Sequence, residues 1–249
     1  ISFIVNKSSN LFYFLKGRWN IFVYTYLSYI SLALVIDILM GRYISNMWIY
    51  PYYDVQDEII HVILIGYPFA FFSVSSFYSI LKGIFERFFP TAIIKPYYRP
   101  YVLVKILIFL TLLSIILPII DFSLFNGVEI NKIMVLCLII GISSVSPIGF
   151  YLSEDSFLGQ ILKVDLRTIG ALLLTSFISS FLHEIPNTYA WEWVYQNIPF
   201  TSFEVLNVNI IVLTIGWLFL TISAISVNEI FFFLQRIRES RTEKRASCK

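Results

Sequence analysis

The sequence predicts an all-α, polytopic transmembrane bundle of about six spans. Composition, the length of the apolar runs and the placement of lysine and arginine each point there. Of 249 residues, 58% are hydrophobic, 18% aromatic and only 14% charged, against roughly 25% charged in soluble domains. A soluble fold has too little polar surface in this sequence to clothe that much apolar side chain. Several uninterrupted apolar runs approach or exceed the ~18 residues that mark a bilayer crossing.

In chain order the runs predict helices at Ile21–Met40, Ile59–Leu81, Tyr101–Ile120, Ile133–Leu152, Thr168–Ile185 and Ile210–Phe233. They are too long and too evenly apolar for the alternating strands of a barrel, and only a helix satisfies its own backbone in hydrocarbon. Residues 1–234 therefore read as one transmembrane domain and 235–249 as a basic cytoplasmic tail. The chain begins at Ile1, so residues upstream are expected. The run Ile1–Val5 is too short for a signal-peptide core, and the first long run reads as a retained span.

Orientation follows from the cations, which short loops retain on the cytoplasmic side. Lys7, Lys16 and Arg18 precede span one; Lys82, Arg87, Lys95 and Arg99 follow span two; Lys163 and Arg167 follow span four. The tail adds Arg236, Arg238, Arg241, Lys244, Arg245 and Lys249. Of the 18 lysines and arginines, only Arg42, Lys105 and Lys132 fall elsewhere. Six spans with both termini in the cytoplasm of a cell-membrane protein produce that split, whereas one span more or fewer would mix the two groups. A net charge of +2 with no basic patch excludes nucleic acid as a partner. Membrane lipids remain the expected partners, with a second copy or another subunit also open. Cys137 lies mid-span and Cys248 in the tail, so both are expected as free thiols.

Tyrosine and tryptophan collect at the expected headgroup depths, including Trp48, Tyr50, Tyr52 and Tyr53, then Tyr189, Trp191, Trp193 and Tyr195. These are either interfacial belts or an aromatic box for a ligand. Ionisable groups at membrane depth are costly and so are site candidates. Asp37 lies one turn from the outer end of span one. Glu229, beside Asn228, lies near the inner end of span six, and Asp121 closes span three.

The two histidines, His61 and His183, fall at the outer mouths of spans two and five. Near them are Asp57 and Glu58, with Glu58 and His61 spaced as an i,i+3 pair. Glu184 follows His183, and Glu192 stands between two tryptophans. Such a set could hold a divalent metal, act as an acid–base group, or simply be interfacial polarity. No cofactor is assigned: glycine-rich phosphate loops, Gly-x-Ser-x-Gly, paired-cysteine spacings and His-Glu-x-x-His are all missing. The stretch from His183 to Phe200 is the densest in acid, amide and aromatic groups. Pro186 is expected to end span five there, leaving an aromatic lid along the membrane surface.

Two distant segments echo one another. Trp48-Ile49-Tyr50 precedes a span with Ile65-Gly66-Tyr67 and then Ser73-Val74-Ser75-Ser76. Trp193-Val194-Tyr195 precedes a span with Ile215-Gly216-Trp217 and then Ser223-Ala224-Ile225-Ser226. Both copies would cross in the same direction, so spans one and two and spans five and six would form a parallel repeat.

A Trp-x-Tyr loop leading twice into an apolar span resembles the membrane-embedded lycopene cyclases and related carotenoid-biosynthesis proteins, over Trp48–Phe77 and Asn187–Glu229. Ile65-Gly66-Tyr67-Pro68-Phe69-Ala70-Phe71-Phe72 is similar to that family's Pro-x-Glu-Glu stretch with its paired phenylalanines. Phe69 and Ala70 stand where the glutamates would be, so cyclase activity is not implied. What the resemblance implies is a related helical scaffold that handles an apolar, isoprenoid-like molecule within the bilayer.

The expected function is therefore binding or modification of an apolar lipid or isoprenoid at the outer half of the bundle. Asp37, His61, His183 and Glu184 are the catalytic candidates, and Trp48, Tyr50, Trp191, Glu192, Trp193 and Tyr195 the binding candidates. The alternative is a non-catalytic membrane-complex subunit or a small transporter.

Overall fold

The computed structural model describes residues 19–39, 41–42, 46–89, 155–196, 204–205, 208–210 and 212–247, with scattered helical positions between 101 and 149. The expected spans Tyr101–Ile120 and Ile133–Leu152, together with Asp121, fall outside the described residues apart from those scattered positions.

Helix α1 covers Trp19–Leu39 and a short strand β1 covers Trp48–Ile49. A helical turn at Val55–Asp57 then passes into a π-helical segment, Glu58–Gly66, and α2, Tyr67–Phe88. The short α3 (Phe157–Leu162) leads to the long α4 (Leu166–Ala190). Strand β2 (Val194–Tyr195) and a small hairpin of β3 (Glu204–Val205) and β4 (Val208–Asn209) follow. A second π-helical segment, Val212–Gly216, then opens α5, Trp217–Ser247.

Four helical segments are long and apolar enough to cross a bilayer: Trp19–Ile38, Val55–Phe88, Leu166–Ala190 and Val212–Phe231. They coincide with the expected first, second, fifth and sixth spans. The chain is thus a membrane-type helical bundle, and α4 gives the physical reason most plainly. Its buried face carries Thr168, Thr175, Ser176, Ser179, Ser180, Glu184 and Asn187, whereas Leu173, Leu174, Phe177 and Leu182 are exposed. In water that arrangement would be inside out. In hydrocarbon, lipid solvates the leucines, while small hydroxyl residues let neighbouring helices approach closely.

Polar caps fix the helix ends. The Ser156 hydroxyl accepts from the Gly159 amide and starts α3. The Asp165 carboxylate accepts from the Arg167 amide and starts α4, satisfying amides that the helix itself leaves open. Contrary to expectation, Pro186 does not end the fifth span, since α4 runs on to Ala190 with Pro186 inside it. A proline removes only one intrahelical donor, and the turn beyond it is secured by other means. Trp191 adopts a left-handed conformation (φ 54°) with its amide donating to the Asn187 carbonyl. The Asn187 side chain then clamps Trp193, accepting from its amide at 3.0 Å and donating to its carbonyl at 2.9 Å.

That clamp delivers β2 alongside β1. The strands pair antiparallel, Trp48 opposite Tyr195 and Ile49 opposite Val194, and the Gln196 amide extends the ladder to the Met47 carbonyl. The two echoed Trp-x-Tyr segments are therefore bonded to each other across the same end of the bundle. Beneath them the main core gathers Tyr29, Ile36, Ile63, Phe71, Val74, Trp217 and Ala224. A second cluster around Tyr78, Phe157, Ala171 and Leu172 closes the α3 end.

Candidate active site beneath the paired strands

Each Trp-x-Tyr segment folds back on a carboxylate within the last two turns of the helix before it. In the first, Trp48 Nε1 donates to the Tyr50 hydroxyl at 3.0 Å and to Asp37 Oδ1 at 3.2 Å, and the Tyr50 hydroxyl donates to the same oxygen at 3.0 Å. In the second, Trp193 Nε1 donates to the Tyr195 hydroxyl at 3.2 Å, and that hydroxyl donates to Glu184 Oε1 at 2.7 Å. Tyr67, the first residue after one π segment, places its hydroxyl 3.4 Å from that of Tyr50. Trp217, the first residue after the other, donates Nε1 directly to Glu184 Oε1 at 2.8 Å. Asp37 and Glu184 are both buried, at 0% and 1% exposure. A buried carboxylate is tolerable only where such donors replace water.

The two phenols outside the spans respond to that setting. Burial raises Tyr195 well above the ordinary tyrosine value, and the Glu184 charge adds to the effect. Burial raises Tyr50 likewise, reinforced by Tyr67 and Asp37. Both hydroxyls therefore remain protonated donors throughout the neutral range.

The Asp37 side holds a further acid. Glu58 is fully buried, faces Asp37 and accepts from Arg42 Nη1 at 2.7 Å. The expected Glu58–His61 pairing does not form, because Glu58 turns to Arg42. His61 instead lies 4.0 Å from Asp57 and stacks on the Tyr53 ring. Gly41 presses against this cluster: a Cβ there would come within 2.7 Å of the Asp37 carbonyl and 2.9 Å of Trp48 Nε1.

Between the halves lies a cavity of about 620 Å³. His61, His183, Glu184, Trp48, Tyr50, Glu192, Trp193 and Tyr195 all line it, so most of the residues singled out in the sequence meet around one space. Asp37 stands behind Trp48 and Tyr50, outside the lining. Trp191 is 57% exposed and faces away from the cavity. The rest of the wall is mainly apolar, with Ile36, Val62, Phe71, Val212 and Leu220, and its rim includes Phe69 and Leu182, which are 60% and 56% exposed on the outside of the bundle.

His183 is oriented on both sides. Its ring stacks on Trp217 with centroids 4.4 Å apart, and Nδ1 lies 2.7 Å from the Ser179 carbonyl. A carbonyl only accepts, so Nδ1 carries the hydrogen and Nε2 is the nitrogen left for a ligand. Among the described residues no group of three or more His, Cys, Asp or Glu is placed to hold a metal ion.

No family model, curated protein or solved structure matches this chain. Glu184, Tyr195 and Trp217 form a desolvated acid at the floor of an apolar chamber, and His183 Nε2 stands beside it, an arrangement suited to proton transfer.

Three contributors escape a reading of the sequence. Tyr67 and Trp217 look like ordinary span aromatics, although their matched places in the Ile-Gly-aromatic echo were the available signal. Asn187 falls in the amide-rich stretch from His183 to Phe200, but nothing there marks its role, because its clamp exists only once α4 continues past Pro186. Glu229, a relay candidate by depth, instead spends both carboxylate oxygens on the Phe157 amide at 2.7 and 2.8 Å and caps α3.

Proposed function

We propose that this chain crosses the cell membrane six times, with both termini in the cytoplasm, and that it binds and modifies an apolar, isoprenoid-like lipid in the chamber beneath β1 and β2. The observation that carries the reading is the combination of an apolar rim and an acid floor. Phe69 and Leu182 belong both to the chamber wall and to the exterior of the bundle, where a bilayer would lie. A lipid can therefore enter sideways from the membrane. A volume of about 620 Å³ falls within the ~300–1,000 Å³ usual for small-molecule sites. Glu184 and His183 then meet whatever part of that molecule reaches the floor, as acid and base.

The matched hydrogen bonds of Asp37 and Glu184, and the pairing of their Trp-x-Tyr segments, support descent from a duplicated unit. A two-fold axis along the membrane normal reverses strands lying in the membrane plane, as β1 and β2 are reversed. The likeness to carotenoid-biosynthesis proteins fits the same reading in a modified form. Phe69 and Ala70, where that family places its acids, line the chamber as apolar wall, and the acid comes from the end of α4 instead.

Three of the five tryptophans, Trp48, Trp193 and Trp217, line the chamber, which makes the test direct. Titrating the detergent-purified protein with a brominated isoprenoid alcohol should quench their fluorescence saturably, and unbrominated geranylgeraniol should compete. Quenching that rises linearly and resists competition would refute a bound lipid.

A further inference from the structure

The inside of the bundle is more polar than a lipid chamber requires. On α4, Thr168, Thr175, Ser176, Ser179, Ser180 and Glu184 are all buried. From Thr175 to Glu184 they recur about one turn apart, while Thr168 lies two turns before Thr175 with Ala171 and Leu172 buried between; the whole face covers roughly 24 Å at 1.5 Å per residue. This face packs on α2 and α5, which turn Ser75, Tyr78, Ser79, Ser223 and Ser226 inward.

Many of these groups are left without a partner. The hydroxyls of Thr175, Ser176, Ser180 and Ser226 are buried and make no hydrogen bond among the described residues. Buried polar groups are otherwise almost always satisfied, and a run of orphans is where internal water resides. The second oxygen of Glu184, Oε2, is also buried and unpartnered. Side chains on a helix lean toward its N-terminus, so Glu184 leans over the turn that carries Ser180.

At the opposite end, the seam reaches a charged cluster. The Thr168 hydroxyl and Lys82 Nζ both donate to Gln160 Oε1. Asp165 and Arg167 are ion-paired beside them, with Glu86 4.0 Å from Lys82.

We propose that the seam between α2, α4 and α5 is a hydrated proton route that joins the Lys82–Gln160–Thr168 cluster at the α3 end to Glu184 beneath the paired strands. Hydroxyls one helical turn apart lie about 6 Å from each other, a gap that one water bridges with two hydrogen bonds. A hydroxyl and a water can each accept one proton while passing on another, so charge crosses without a charged side chain at mid-membrane. The route would recharge the chamber's acid from the α3 side. The inference rests on the bilayer placement proposed above and not on what fills the chamber.

The test is proton uptake into proteoliposomes that carry a trapped pH-sensitive dye, driven by a potassium gradient with valinomycin. The wild-type protein should take up protons faster than protein-free vesicles do. Combined Thr175→Val, Ser176→Ala and Ser180→Ala should cut the protein-dependent rate by about tenfold, the scale of an interrupted hydrogen-bonded step. Thr175→Ser, which keeps the hydroxyl, should retain the rate.

Wild-type vesicles no faster than empty ones would overturn the proposal whatever the variants do, and so would a folded triple variant that matches the wild type. Uptake by a protein that shows no saturable lipid quenching would leave the route standing and remove the lipid reading; quenching without uptake would do the reverse.

Discussion

Asp37 and Glu184 are held by similar sets of indole and phenol donors, and the two settings differ in what surrounds the acid. Each lies within the last two turns of a membrane helix, each is buried, and each is held by a Trp-x-Tyr segment whose indole braces its own phenol. Around Asp37 the protein closes in: Arg42 and Glu58 complete an ionic cluster, Gly41 lies against it, and Trp48 and Tyr50 stand between the acid and the chamber. Around Glu184 it opens. Trp217 replaces the more distant Tyr67 as a direct donor, and the carboxylate itself lines the chamber. Of two carboxylates held alike, one is enclosed by an ionic cluster and the other opens onto the chamber.

The strongest way to break that comparison is to remove the acid that opens onto the chamber. Glu184→Leu strands the Trp217 indole and the Tyr195 hydroxyl, at roughly 1–3 kcal/mol for each buried donor left unmade. Thermal unfolding in detergent should show the largest loss of any single substitution at the site, and saturable quenching should disappear with it.

Gly41→Ala comes next and should separate the halves. Its Cβ would collide with the backbone and carboxylate of Asp37, and overpacking of this kind costs about 1–3 kcal/mol. Stability should fall while lipid quenching persists. Loss of quenching on that substitution would mean that the Asp37 half is not merely an anchor.

Tyr195→Phe and Tyr50→Phe should each cost about 1–2 kcal/mol, since each hydroxyl accepts from an indole and donates to a carboxylate, and so sharpen the likeness between the halves. The phenols also fix a pH response. Both have their values raised by burial above the ordinary 10.0, so the folded state holds these protons more tightly than the unfolded chain does. Their stabilisation is complete below pH 10 and is lost as pH climbs beyond it. The melting temperature should therefore decline on the alkaline side, and less steeply in the double phenylalanine variant. Smallest of all is Trp191→Ala, at an exposed position away from the chamber, which should stay within about 0.5 kcal/mol.

How much of this the sequence carried depended on the physics behind each feature. The four spans were plain because hydrocarbon demands long apolar runs, and Asp37 and Glu184 stood out because charge is rare within them. Their convergence with His61 and His183 on one end of the bundle followed from counting crossings. The partners were hidden. Glu58 looked like a neighbour of His61 until Arg42 claimed it, and nothing local marks Arg42 as its ion pair. Trp217 could be found only by taking the Ile-Gly-aromatic echo as seriously as the Trp-x-Tyr one. The end of α4 was misplaced because proline usually stops a helix, and the Asn187 clamp that carries the chain past it is a tertiary contact. The hydroxyl seam was present as scattered serines and threonines, whose common face emerged only with the bundle.

The most direct test of the central claim, that the acid-floored chamber takes an apolar molecule from the bilayer, is mass spectrometry of lipid extracted from the purified protein and from Ala70→Trp. Ala70 lines the chamber and takes no part in Glu184's hydrogen bonds, so a large ring there fills the space while keeping the donors that hold the acid. The account predicts an isoprenoid-like lipid in near-stoichiometric amount with the wild type and its loss from a variant that still folds. The same lipid profile from both proteins would contradict it.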